Sequence, residues 1–313
     1  MNLSQHILTT AELMKTGMTS RNIHSALKRQ ELIKLRRGVY LQPDTEQQLD
    51  ERDWVIAHHI AECKALKGSS VLTRESAALM WDAPLTRLPS YVHLASSQKD
   101  RGKYRNVKLH VTAASAIERA QRFDDYRVLT PTDTVISCVR SLPTHETLII
   151  ANDFLKRDLC SPGLLSEQLH AVRGKGNQKA RRIARCLTPQ LDSPLENIAY
   201  LVLTDSNVEP VNLQMWLTAS SGRRYRPDFC WPRVKLILEV DGMVKYNGTY
   251  GTAERRGAYE YQRQRDLEAD GWRIVRTTYD ELVNRPFALI RRLQSEGVQI
   301  GSPVGLGSGL LPQ

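Results

Sequence analysis

Residues 226–241 read RPDFCWPRVKLILEVD. Phe229 to Trp231 open a β-rich run, Pro232-Arg233 makes a turn, and residues 234–240 form a nearly continuous apolar strand. The anomaly is the acids: Asp228 near one strand, Glu239 and Asp241 at the end of the other. Buried strands rarely carry carboxylates without a partner, because an unpaired buried charge is costly. A hairpin symmetric about Pro232-Arg233 sets Asp228 opposite Ile237. Glu239 then lies on the same face, as a diagonal cross-strand neighbour about 7 Å away between backbones. Two carboxylates that close repel unless a cation sits between them. Mg²⁺, which takes carboxylate oxygens at about 2.1 Å, fits. Asp241 follows on that face, and a one-residue slip would destroy the arrangement.

Further from the hairpin, Ser193-Pro194-Leu195-Glu196 opens a helical pattern, residues 211–217 read as a strand, and Ser220-Ser221-Gly222 reads as a turn. Downstream come Gly242, Lys245-Tyr246, and a helix over 255–270 carrying Glu260, Arg263 and Asp266. Gly271-Trp272-Arg273-Ile274-Val275-Arg276 follows as a further strand. This order resembles the Vsr-like (very-short-patch-repair-like) branch of the PD-(D/E)XK endonucleases, over roughly 190–290. That pattern has a helix Glu, an Asp before an apolar strand, a Glu followed by x-Asp-Gly, a basic helix and a Gly-Trp-x-Val-x-Arg strand.

The resemblance implies a restriction-endonuclease-like mixed sheet flanked by helices, with Mg²⁺ or Mn²⁺ as cofactor. Asp228 and Glu239 are the implied metal ligands, and Glu196 completes the shell or holds a water. Arg263 would meet the phosphate. One departure is that the motif's lysine position, two after Glu239, holds Asp241, and Lys245 is the candidate replacement. The plainer alternative is that these acids pair with Arg224, Arg226 or Lys235 on a surface.

Residues 5–42 read as a winged helix-turn-helix. Thr9 or Thr10 caps a first helix that Gly17 ends, and Thr19 or Ser20 caps a second with Ile23, Ala26 and Leu27 inside. Its other face carries Arg21, Asn22, Ser25, Lys28 and Arg29, the candidate DNA-binding residues. Residues 32–41 read as the wing hairpin, with Arg36 and Arg37 at its tip. The run Leu35-Arg36-Arg37-Gly38-Val39-Tyr40 resembles the wing closure of the AbiEi-type abortive-infection antitoxins. The alternative is a solvated helix face and an exposed turn.

Residues 46–170 read as a mixed α/β region without recognisable chemistry. Helices are expected at 47–66, 73–81, from Pro131, and around 145–158 and 162–172. Strands are expected at 91–95 and 107–111, with residues 99–108 as a charged hairpin tip. His59 and Cys63 share helical spacing, but no further ligands accompany them, which favours a buried helix face over a metal site. Residues 171–190 carry Arg173, Lys175, Lys179, Arg181, Arg182 and Arg185 with no acid. They read either as a linker with a solvated helix face or as a phosphate-contacting surface.

The 313 residues carry a formal net charge of +10, which favours a polyanionic partner. Five scattered cysteines without CxxC spacing read as reduced core residues in a cytoplasmic protein. The N-terminus has no signal-peptide pattern, and no apolar stretch is long enough to span a membrane. The expected fold class is α/β (α+β): a winged helix-turn-helix at 1–43, an α/β middle at 44–172, a basic linker at 173–190, a nuclease-like domain at 191–296 and a disordered tail at 297–313. The expected activity is metal-dependent cleavage or nicking of DNA, in phage defence or repair, with a toxin or defence-system partner protein. A non-catalytic DNA-binding antitoxin or regulator with a degenerate nuclease fold is the alternative, and an RNA substrate stays open.

Overall fold

The structure is a computed structural model. It describes residues 3–43, 49–66, 70–98, 105–123, 126–241 and 253–301, with backbone alone at 253–258. The chain has a mixed α+β architecture in two compact units, divided between Ala180 and Arg181.

The first unit opens with α1 (Leu3–His6), β1 (Ile7–Thr9), α2 (Thr10–Lys15), α3 (Ser20–Lys28), β2 (Ile33–Arg36) and β3 (Val39–Leu41). Thr9 caps α2 in a reciprocal capping box with Glu12, and Thr19 caps α3. Gly17, at φ +90°, provides the turn between them. Leu13, Ile23, Ala26 and Leu32 close a small core between the helices. The hairpin β2–β3 gains β1 as a third strand, in the order β1-β3-β2. Neither α1 nor β1 is expected from the sequence, and both are fixed by burial of Leu3 and Ile7.

Next comes α4 (Glu51–Ala65), capped by Asp50. Its Ala57, Ile60 and Ala61 share one apolar cluster with Leu3, Ile7, Leu35, Val39 and Leu41. The sequence reading separates 1–43 from 44–172, but packing is continuous across that point. His59 is buried, with Nδ1 on the Val55 carbonyl at 2.8 Å and Nε2 on Ser76 Oγ at 2.8 Å. It has no nitrogen left for a metal.

The unit continues through β4 (Val71–Leu72), α5 (Arg74–Met80), β5 (Val92–Ser96), β6 (Val107–Val111), α6 (Ala114–Glu118), β7 (Gln121–Phe123) and β8 (Tyr126–Val128). Then follow α7 (Pro131–Cys138), α8 (Thr144–Lys156), α9 (Pro162–Ala171) and α10 (Asn177–Arg185), whose residues from Arg181 on belong to the second unit. The five strands order as β6-β5-β4-β8-β7. β5 and β6 pair in parallel, which overturns the expected hairpin at 99–108, because parallel neighbours need a crossover. Residues 99–104 lie outside the described residues. α10 holds the basic run: Arg182 and Arg185 pair with the buried Asp205, and Lys179 donates to the Leu142 carbonyl. Arg173 donates to the His170 carbonyl at 2.7 Å, so four of the six basic residues are committed internally.

The second unit contains α11 (Pro194–Asp205), β9 (Asn212–Leu213), β10 (Leu217–Thr218), β11 (Arg224–Tyr225), β12 (Phe229–Trp231), β13 (Leu236–Asp241), α12 (Ala253–Ala269), β14 (Arg273–Thr278), α13 (Tyr279–Asn284) and α14 (Pro286–Ser295). Its sheet orders as β14-β13-β12-β9. β13 is antiparallel to β12 and parallel to β14. One face, through Phe229, Trp231, Leu236 and Leu238, packs on α11, α13 and α14. The other, through Cys230 and Ile237, meets Leu217, Tyr225 and Leu267 of α12. α12 ends in a Schellman motif: Trp272 N donates to the Leu267 carbonyl and Gly271 N to the Glu268 carbonyl, with Gly271 at φ +81°.

Three expectations change in this unit. Residues 211–217 are not one strand. Gln214, at φ +50°, breaks the run so that β9 stays in the four-stranded sheet while β10 pairs with β11 in a separate ribbon. The turn after β12 takes four residues, a 3₁₀ turn Pro232–Val234 followed by Lys235 in the left-handed region, where two were expected. Phe229 therefore opposes Leu238 and Cys230 opposes Ile237. The proposed tail also starts later than 297: Val298 is buried and Ile300 bridges to Val208, while residues 302–313 lie outside the described residues.

Candidate functional site

A two-residue register change keeps every side chain on its face. Continuing the observed pairing sets Asp228 directly opposite Glu239, rather than diagonal to it. Directly opposed residues have Cβ atoms about 5 Å apart. Asp228 Oδ2 accepts from Val240 N at 2.9 Å, which aims the carboxylate along the sheet end.

Glu196 enters from α11. Ser193 caps that helix by accepting from Glu196 N at 3.1 Å, which fixes Glu196 in the first turn. Its side chain is 5% exposed. Glu196 Oε2 accepts from Asp192 N at 2.9 Å and from Gln214 Nε2 at 2.8 Å. The same Gln214 Nε2 lies 3.4 Å from Asp228 Oδ1, and Gln214 N donates to the Asp228 carbonyl at 3.0 Å. Gln214 therefore ties two carboxylates together from a left-handed backbone that a non-glycine residue adopts only at a cost. The sequence reading misses it. Its one signal there is a second amide after Asn212 in a strand-like run.

Glu239 is held differently. Arg263 of α12 forms an ion pair with Glu239 Oε1, and Arg276 Nε of β14 stands 3.6 Å from Oε2. Glu260 pairs with both arginines, at 3.3 and 3.2 Å. Arg263 is thus committed to Glu239 and Glu260, not free for a phosphate as expected, and Arg276 is a second residue that the sequence reading misses. None of Arg224, Arg226 and Lys235 pairs with the site acids. Arg226 binds Asp192, Lys235 donates to the Asp270 carbonyl, and Arg224 lies against Trp216. Asp241 is exposed at the end of β13, on the Glu239 face. Lys245 lies outside the described residues.

Burial, together with the neighbouring Glu196 and Glu239 charges, pushes the Asp228 carboxyl up from 3.8 to about 6. Between those values the folded protein holds a proton that the unfolded chain has released, so stability rises as pH falls through that window. Asp228→Asn removes the penalty. Its melting temperature should exceed that of the wild type at pH 7, and the gap should close by about pH 4. A gap that is constant over this range, in thermal melts of both proteins, would contradict the assignment.

Asp228 and Glu239 offer hard oxygens on facing strands. Glu239 Oε1 is buried against the Arg263 guanidinium, so a metal ion there would take the place of that cation. Among the described residues, no group of three or more His, Cys, Asp or Glu side chains is arranged to hold an ion. Two carboxylates nevertheless suit Mg²⁺, which keeps several waters and takes one or two protein carboxylates.

In the first unit, Arg21, Asn22, Lys28 and Arg29 are exposed on α3 and Ser25 is half-buried. Arg29 forms a two-point pair with Glu31 at 2.8 and 2.9 Å. Arg37 is exposed, whereas Arg36 turns inward to Glu62 of α4. Arg36 is thereby withdrawn from the expected DNA-facing set. All five cysteines are free, and Cys63, Cys138, Cys186 and Cys230 are buried. No helix of the described residues is long and apolar enough to cross a membrane.

No family model matches the chain. It is 24% identical over 176 residues to two Mycobacterium tuberculosis proteins described as uncharacterized, one from strain CDC 1551 / Oshkosh and one from strain ATCC 25618 / H37Rv. The match covers 56% of this chain and 63% of each of those relatives. A crystal structure of the RV2827C protein from Mycobacterium tuberculosis aligns with a TM-score of 0.38 at 17% identity, over 69% of this chain and 86% of that one.

Proposed function

We propose that the second unit is a metal-dependent phosphodiesterase acting on DNA, with Asp228 and Glu239 as the ligands of Mg²⁺ or Mn²⁺. The observation that carries this reading is the β12–β13 register, which continued by one residue sets Asp228 opposite Glu239, with Glu196 tied to Asp228 through Gln214. Bound there, the ion would supply Lewis-acid charge for phosphodiester hydrolysis. The chain supplies the rest. Asp228 and Glu239 would hold the ion, Gln214 fixes Asp228 against Glu196, and Arg263 with Arg276 holds Glu239 in place. The order helix, antiparallel strands, helix, parallel strand supports the likeness to the PD-(D/E)XK core at the level of topology. The test is nicking of supercoiled plasmid with Mg²⁺, Mn²⁺ or a chelator. Wild type should nick only with metal, and no nicking under any condition in which DNA is bound would sink the reading.

One observation favours a second reading. Glu239 already has two arginine partners, and Asp241 stands where the motif has lysine. A non-catalytic DNA-binding regulator would keep such a closed site and act through α3 and the β2–β3 hairpin. Under either reading the hairpin tip is expected to touch phosphate. Arg37→Ala should weaken DNA binding and reduce the slope of log K against log salt by about one. Arg36→Ala should instead lower thermal stability, since it leaves the largely buried Glu62 unpaired. A salt titration with an unchanged slope for Arg37→Ala would remove the hairpin from the interface.

A further inference from the structure

Met215 and Trp216 connect β9 to β10, directly after Gln214, and their side chains stay on the surface: Trp216 is 54% exposed and Met215 39%. In the β10–β11 ribbon Leu217 opposes Tyr225 and Thr218 opposes Arg224. Leu217 and Tyr225 point into the core. Continuing that register sets Trp216 opposite Arg226, with Arg224 diagonal to it, all on the outer face. The guanidinium carbons of Arg224 and Arg226 lie 4.8 and 5.8 Å from the Trp216 ring centroid. Arg224 has no carboxylate partner among the described residues, while Arg226 shares Asp192 with the Glu196 end of the site.

The ribbon is anchored. Tyr225 Oη and Ser221 Oγ each donate to Asp266 of α12 at 2.7 Å, and Ser220 N donates to Asp270 at 2.9 Å. An exposed indole on a rigid support, flanked by two cations, offers an apolar π-face beside positive charge. A base stacked on the ring with its phosphates on the arginines satisfies both at once. An apolar protein partner would leave Arg224 without a counter-charge.

Distance ties this surface to the acidic site. Trp216 is two residues from Gln214 and Arg226 two from Asp228, so each backbone separation is at most about 7 Å. We infer that Trp216, Arg224 and Arg226 form a platform for an unpaired base of a DNA strand, so that the substrate is DNA with a single-stranded segment beside the carboxylates Asp228 and Glu239. This rests on the phosphodiesterase reading for its placement, but its test does not need cleavage.

The test measures binding of the full chain carrying Asp228→Asn, in chelator, to fluorescently labelled forked DNA, blunt duplex and the RNA version of the fork. The forked DNA should bind more tightly than the duplex. Adding Trp216→Ala should weaken fork binding roughly 5- to 150-fold, the range for one lost base stack, with less than a twofold change on the duplex. Trp216→Phe should restore most of the loss, and Arg224→Ala should weaken fork binding with a smaller salt slope. Equal affinity for fork and duplex, or an equal loss on both in Trp216→Ala, would overturn the platform. A preference for the RNA fork would overturn the assignment to DNA. Absence of plasmid nicking alongside a Trp216-dependent fork preference would reject the phosphodiesterase reading and leave the platform standing.

Discussion

Asp228→Asn is expected to slow Mg²⁺-dependent cleavage by at least a hundred- to a thousandfold, the scale for losing one electrostatic group at a reacting centre, without weakening DNA binding. Asparagine keeps the acceptor for Val240 N and nearly the same shape, so the strand end should stay in place. What it loses is the charge that would hold a cation. A carboxyl moved from 3.8 to about 6 costs the folded state at most roughly 3 kcal/mol at neutral pH, so the variant should be no less stable than the wild type. Glu239→Gln should lose cleavage to a similar degree. Lost activity combined with retained stability separates a ligand from a structural residue. Wild-type cleavage by either variant would sink the site.

Arg263→Met is expected to lower stability in metal-free buffer by about 2–4 kcal/mol, because breaking a largely buried pair leaves one charge uncompensated. The side chains of Arg263 and Glu239 are 13% and 12% exposed, and Arg276 offers Glu239 only a longer contact. If Glu239 also binds metal, the ion and Arg263 compensate the same charge. Mg²⁺ should then raise the melting temperature of Arg263→Met more than that of the wild type, as linkage requires of a ligand that the altered site binds more tightly. Equal Mg²⁺ shifts in thermal melts of the two proteins would mean that Glu239 serves Arg263 alone.

The alternation of residues along a strand made the acidic face readable. Asp228, Glu239 and Asp241 share a face of the sheet, and that face survives a register error of two. The register itself was not readable, because the left-handed Lys235 lengthens the turn by a conformation that lysine does not announce. Gln214 was hidden for the same reason: in an apolar run it looks like one more strand position, and only its backbone angle shows where the chain leaves the sheet. The arginine clamp on Glu239 depends on where α12 and β14 meet β13, a tertiary fact with no local signature. In the first unit the caps Thr9 and Thr19 and the glycine turn were legible because each acts within a few residues. β1 and the parallel pairing of β5 with β6 were not, since both depend on partners far along the chain.

Crystals grown without metal and soaked in Mn²⁺ test the central claim most directly. The account predicts an anomalous peak between Asp228 and Glu239, within about 2.0–2.3 Å of an oxygen from each, with Arg263 drawn back from Glu239 Oε1. The peak should be absent in crystals of Asp228→Asn. An unaltered Arg263–Glu239 pair at saturating Mn²⁺, with no peak at these carboxylates, would contradict it.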